Sequence, residues 1–175
     1  IPASERHEYN RPPMTVISEK QRQVLMTELQ SLKRFCVSLT GNHADAEDLL
    51  QLTVERILDK GMPSDAHVAK WSFRVCRNIW LDELRSREVR YRYAQGEIAV
   101  NSETPTSSAP SERILELERV EKLMHALPEE QRLALVLVAV EGRSYAEVAD
   151  ILDIPIGTVM SRVARARRAL VEKSS

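Results

Sequence analysis

The chain has 175 residues, enough for one ordinary domain or two small ones. Its 25 Lys and Arg against 26 Asp and Glu leave a net charge of -1, which excludes a uniformly basic nucleic-acid coat but not a locally basic surface. Only 5 glycines and 5% aromatic residues, in a composition rich in Leu, Ala, Arg and Glu, argue against a sheet protein and for an all-α one.

Residues 1–13 carry three prolines and no hydrophobic period, and are expected to form a mobile tail. A first helix is predicted from Ile17 to Thr40, where Leu25, Leu29, Leu32, Cys36 and Leu39 recur at helical spacing; Gly41-Asn42 stops it. A second runs from Ala44 to Asp59, with Ala46, Leu49, Leu50, Thr53, Ile57 and Leu58 inward, and ends at Gly61 and Pro63. The third helical region spans 65–91, with Val68, Trp71, Val75, Ile79 and Leu84 as its expected core and a break or short helix near 63–68.

Between Ser102 and Ser111, eight of ten residues are Ser, Thr or Pro. Such a stretch buries too little apolar surface to offset its ordering entropy, so residues 93–112 are expected to be a flexible linker between two domains, 14–92 and 113–175. Helical periodicity resumes with Ile114, Leu117, Val120, Met124 and Leu127, and Pro128 starts the next helix, lined by Leu133, Val136, Leu137 and Val140. Ser144 and Glu147 fit a capping box opening a short helix with Ala146, Val148, Ala149, Ile151 and Leu152 inward. Asp153-Ile154-Pro155 makes a turn into a last helix, on which Val159, Val163, Ala166 and Leu170 share one face.

Two cation clusters stand out. On the last helix, Thr158, Ser161, Arg162 and Arg165 share a face beside the apolar one, and residues 162–173 hold five cations, Arg168 among them, against one acid. A short helix, a tight turn and a helix with a hydroxyl-and-arginine face is the pattern of a helix-turn-helix reader of duplex DNA. Residues 70–92 hold seven cations against three acids, interleaved with Trp71, Phe73, Trp80 and Tyr91. Cations mixed with rings suit single-stranded nucleic acid, although Trp71 is expected to be mainly core. Residues 43–55 are by contrast acidic and amphipathic, a solvated face or a docking face for a basic helix.

Nothing points to catalysis or a metal. His7, His43, His67 and His125 have no partners at catalytic spacing, and Cys36 and Cys76 show no metal or disulfide pattern. The apolar runs are too short for a membrane span, and there is no signal peptide, so a soluble, reducing-compartment protein is expected.

Three segments, in this order, resemble the extracytoplasmic-function (ECF) sigma factors, the small two-domain sigma factors of bacterial RNA polymerase, over about Leu29 to Leu170. LTGNHADAEDLLQLTVERIL is similar to the segment that docks on the polymerase β′ clamp helices, KWSFRVCRNIWLDELRSR to the one that melts and reads the −10 element, and LPEEQRLALVLVAVEGRSYAEVADILDIPIGTVMSRVARARRAL to the −35 reader. Ser72 stands where the family usually has Leu, and Leu52 where it often has Glu. The resemblance implies a sigma-2 bundle and a sigma-4 helix-turn-helix domain, with no cofactor, metal or catalytic residue. It implies polymerase contacts at Asp45, Asp48, Leu49, Gln51 and Glu55, beside a contact to the β flap. It places Lys70, Trp71, Arg74, Arg77, Asn78 and Arg85 on the −10 strand, with a base captured by the loop near 61–65 or the one near Lys70. Thr158, Ser161, Arg162, Arg165 and Arg168 would enter the −35 groove.

The partners implied are core RNA polymerase, promoter DNA and an anti-sigma factor, in a cytoplasmic stress or envelope response. Both domains are expected to expose their binding faces. The five cations and twelve acids of residues 93–153 fit a segment lying in basic channels of the polymerase. No receiver domain is expected before Ile17, nor a further domain after Ser175. Two other readings are a plain duplex-binding regulator, which has no need of the aromatic-basic block, and a sigma mimic that titrates an anti-sigma factor, which has no need of Arg162, Arg165, Arg167 and Arg168.

Overall fold

The structure, a computed structural model, describes residues 14–94 and 112–174. The expected tail at 1–13 and nearly all of the expected linker lie outside the described residues.

The first long helix, α1 (Glu19–Thr40), starts in a capping box: Gln21 N–H donates to the Ser18 hydroxyl at 3.2 Å, and Ser18 N–H donates to the Gln21 amide oxygen at 3.0 Å. Gly41 ends it at φ 76°, a left-handed cap whose N–H donates to Val37. Asn42 caps α2 (His43–Lys60) by accepting from Asp45 N–H at 2.8 Å. Then α3 (Val68–Ala94) crosses both, carrying its helix three residues past the expected end.

Between α2 and α3 the structure has no short helix. It has a two-residue strand there, Met62–Pro63 (β2), which pairs antiparallel with Met14–Thr15 (β1), the strand that precedes α1, and the Thr15 hydroxyl donates to the Met62 carbonyl at 3.0 Å. Gly61 makes the pairing possible. It sits at φ 75°, ψ −165°, a region essentially reserved for glycine, and a Cβ there would lie 1.9 Å from the Thr15 carbonyl oxygen. Gly61→Ala is therefore expected to cost about 2–4 kcal/mol, read as a fall in Tm of roughly 4–16 °C by calorimetry.

The C-terminal half comprises α4 (Glu112–His125), α5 (Glu129–Leu135), a π-helical turn at Val136–Val140, α6 (Tyr145–Leu152) and α7 (Ile156–Ser174). The π turn explains a departure from the sequence pattern. Glu141 N–H reaches back five residues to Val136 O at 3.1 Å, so the inserted residue rotates the face. Val136 and Leu137 stay buried, whereas Val140 is 47% exposed. Leu58, Val120 and Ala146, expected inward, are also exposed.

On α3 the expected core stripe is displaced. Val68 is buried as expected, but the others buried are Ala69, Ser72, Phe73, Cys76 and Trp80, while Trp71, Val75, Ile79 and Leu84 are half-buried. The cause is that α3 is covered on more than one side, by α1 and α2 and by α6, so no single aliphatic stripe describes it. Ser72 is tolerated inside because its hydroxyl donates to Val68 O at 2.8 Å.

One apolar cluster joins both halves: Leu32, Phe35, Cys36, Leu39, Phe73, Cys76 and Trp80 pack in it with Leu133, Leu137, Val148, Ile151 and Val163. A smaller one gathers Ile17, Leu25, Ile57, Met62 and Val68. Cys36 and Cys76 sit in the larger cluster with their sulfurs 3.6 Å apart, both free. The hydrogen bond to Cys76 and burial push the Cys36 thiol far above the usual thiol range, so it behaves as a small apolar side chain. No helix among the described residues is long and apolar enough to cross a membrane.

Candidate nucleic-acid interface

The helix-turn-helix geometry is built from local rules. Ser144 caps α6 as its sequence predicts: Glu147 N–H donates to the Ser144 hydroxyl at 3.2 Å, and Ser144 N–H to the Glu147 carboxylate at 2.9 Å. That backbone N–H bond holds the Glu147 carboxyl below the usual carboxylate range. Asp153, at φ 54°, turns the chain, and Pro155 O accepts from Thr158 and Val159 as α7 begins. Val159, Val163 and Ala166 are buried and Leu170 is half-buried, which fixes the rotation of α7.

That rotation divides the residues expected in the −35 groove. Arg165 and Arg168 are exposed. Thr158 and Ser161 are half-buried at the start of α7, with the Ser161 hydroxyl donating to Thr158 O at 3.0 Å. Arg162 is half-buried and donates to Glu130 of α5 at 2.7 Å.

The residues expected on the −10 strand lie along α3. Asn78 and Arg85 are exposed, Arg85 bonding Asp82 at 3.1 Å. Lys70, Trp71, Arg74 and Arg77 are half-buried. Lys70 donates to the Asp150 carboxylate at 2.9 Å, and Arg74 to the Asp150 backbone carbonyl. Burial pulls the Arg77 guanidinium below the usual arginine range; Asp153 opposes this, while Arg74, Arg162 and Arg85 add to it. Of the α7 cations, Arg162 alone acts on Arg77. The Arg77 Nε and Trp71 Nε1 atoms are buried without an acceptor among the described residues.

The two tryptophans exchange their expected weights. Trp80, not Trp71, is the core residue: it is 5% exposed, its Nε1 donates to Glu129 at 2.6 Å, and the Arg87 guanidinium lies 5.8 Å from its ring centroid.

On α2, Asp48, Gln51 and Glu55 are exposed and Asp45 half-exposed, with Gln51 donating to Glu55 at 2.9 Å. Leu49 is 5% exposed and belongs to the core, so Leu52, on the surface beside it, is the larger apolar group available there. Both line a cleft of about 390 Å³ between α2 and α3, with Asp45, Asp48, Trp80 and Arg87.

Asp48, Gln51, Glu55, Arg165 and Arg168 lie exposed, but the expectation that every binding face is displayed is corrected on α3, whose face the packing covers in part. Helix α6 lies on α3, and acids of the C-terminal half occupy cations of the N-terminal half. Asp150 and Glu141, which meet Lys70, Arg74 and Arg34, and Glu129, which accepts from Trp80, have no role assigned from the sequence; Glu130 pairs within its own half, with Arg162. The signal of these acids was the excess of acids over residues 93–153.

Comparison with known proteins places this geometry. The Sigma-70 region 2 model matches residues 25–90, and the Sigma-70, region 4 model residues 117–170. The ECF RNA polymerase sigma factor EcfG of Rhodopseudomonas palustris is 34% identical over 157 residues, covering 88% of this chain and 84% of that protein. The ECF RNA polymerase sigma factor SigL of Mycobacterium tuberculosis is 36% identical over 148 residues, covering 79% of this chain and 80% of that protein. Among solved structures, the sigma factor RpoE in complex with the anti-sigma factor NepR, from Bartonella quintana, superposes with a TM-score of 0.73 at 30% identity, over 89% of this chain and 96% of that one. With region 2 matched across α1 to α3 and region 4 across α4 to α7, the chain belongs to the ECF RNA polymerase sigma factors.

Proposed function

We propose that this chain binds core RNA polymerase and directs it to promoters, acting in the cytoplasm and contributing no chemistry of its own. Helix α2 and the cleft beside it meet the β′ clamp helices through Asp45, Asp48, Gln51 and Glu55, with Leu52 as apolar anchor and Leu49 supporting it from within. Lys70, Trp71, Arg74, Arg77, Asn78 and Arg85 hold the melted −10 strand. Region 4, which also meets the β flap, sets Arg165 and Arg168, and Arg162 once released from Glu130, into the −35 major groove beside Thr158 and Ser161. An anti-sigma factor holds the chain inactive, as the pairing of its Bartonella quintana relative with NepR suggests.

The observation that carries this reading is the row of cations along α3, where Lys70, Arg74 and Arg77 are half-buried and Arg85 is exposed. Like charges gathered at partial burial cost stability in the isolated protein and are repaid by a polyanion. The exposed Arg165 and Arg168 favour a DNA-reading sigma factor over a mimic that only titrates an anti-sigma factor.

The test is transcription by core polymerase plus this chain from a library of promoter sequences. Transcripts that start at discrete sites only when the chain is present are expected. Core polymerase bound without any promoter-dependent transcript overturns the reading.

A further inference from the structure

The acids of region 4 do more than balance charge. Each of three stations between the halves sets a region 4 acceptor against a donor of region 2. At α6, the Asp150 carboxylate takes Lys70 at 2.9 Å and its backbone carbonyl takes Arg74. At α5, Glu129 accepts from Trp80 Nε1 at 2.6 Å and also holds Arg132. At the turn after the π segment, the Glu141 carboxylate, with no side-chain exposure, accepts from Ser31 at 2.9 Å and from Arg34 at 3.2 Å. Beside it, Arg143 crosses back to Glu28 at 3.2 Å and lies 5.1 Å from the Phe73 ring centroid.

From these contacts we infer that the acidic side of region 4 is an internal stand-in for promoter phosphates, closing α6 over the α3 face in the free chain. The inference rests on the proposed assignment of that face to the −10 strand. A phosphate brought to Lys70 and Arg74 meets the Asp150 carboxylate and the helix that carries it, so the two acceptors exclude each other by charge and space. The closed state therefore competes with DNA directly, before any second protein binds.

The magnitudes suit a latch. The Lys70–Asp150 pair is partly exposed, and such pairs contribute little. Glu141 differs, because its carboxylate is sealed from water and removing its partner strands a buried charge. Apolar packing of Phe73, Cys76 and Trp80 with Val148 and Ile151 adds to the closure. A latch that keeps most of the population closed lowers the apparent affinity for the −10 strand by the open fraction. An anti-sigma factor would then stabilise a state the chain already forms.

The test uses the full chain with spin labels at Lys60→Cys and Glu172→Cys, two exposed positions in the two halves. The parent is expected to give one narrow interlabel distance. Glu141→Arg sets a cation against Arg34 and broadens it, and Arg34→Glu with Glu141→Arg restores it. Asp150→Arg, on an exposed side chain facing Lys70 and Arg74, opens the latch without disturbing a buried site and serves if Glu141→Arg fails to fold. In the opened chain, binding of a single-stranded −10 oligonucleotide tightens by about tenfold, and the swap reverses this.

A broad distance in the parent overturns the inference. So does a narrow one that persists in both opening variants, or opening without tighter binding. The distance needs neither polymerase nor promoter. Failed library transcription with a narrow parent distance removes the proposed function and keeps the closed state, whereas successful transcription with a broad parent distance does the reverse.

Discussion

Alanine at both Arg165 and Arg168 is expected to weaken binding of −35 duplex DNA by about 100-fold or more. An arginine paired bidentately with a base edge is worth about 1–3 kcal/mol, and each 1.4 kcal/mol is a factor of ten in affinity. Both side chains are exposed, one turn apart on α7, and neither supports the core, where Val159, Val163 and Ala166 sit on the opposite side. The fold should therefore hold to within about 0.5 kcal/mol in urea melts. The salt dependence separates the two kinds of contact. If both arginines meet phosphates, the slope of log K against log salt falls by about 2, and all sequences are weakened alike. If they meet bases, the slope changes less and the preference for one sequence relaxes. Arg162→Ala alone should cost less than either, because its guanidinium is held by Glu130 at 2.7 Å until that pair breaks. Unchanged binding and unchanged slope in the double variant would remove α7 from the DNA interface.

What the sequence made legible follows the range of the interactions concerned. The Ser144–Glu147 capping box, the Gly41 stop and the Pro155 start are set by residues within four positions of one another, and each appears where its pattern puts it. The apolar faces of α2 and α7 were mostly legible for the same reason, since each packs with one side. On α3 this logic failed. Two sets of neighbours cover the helix, so the spacing of Trp71, Val75 and Ile79 gave a stripe rotated from the one that Ser72, Phe73, Cys76 and Trp80 form. The π turn was hidden because one inserted residue leaves no compositional mark, and it alone turns Val140 outward. The acids were counted but not placed. A net charge over a segment says that partners of opposite sign exist, not that Asp150 and Glu141 would find theirs on the other half of the same chain, 80 and 107 residues away.

That joining of the halves makes Phe73 the position where one substitution reaches furthest. Its ring is 1% exposed and meets Phe35 of α1 edge-on, with centroids 5.1 Å apart at 83°, while the Arg143 guanidinium approaches from region 4. Phe73→Ala removes a buried aromatic from a cluster built by helices of both halves, a loss of about 3–5 kcal/mol. For a chain of this length that lowers Tm by roughly 6–20 °C. Because the cluster is continuous from Leu32 to Val163, the parent is expected to unfold in one calorimetric transition, and Phe73→Ala to move that transition whole. Leu32→Ala is the control: Leu32 is equally buried in the same cluster, and the loss is about 2–5 kcal/mol. Both variants should lower Tm, but only Phe73→Ala takes away the ring beneath Arg143, so only it should also broaden the interlabel distance between the halves. Two separate transitions in the parent, with Phe73→Ala shifting one alone, would mean that the halves touch without sharing a core.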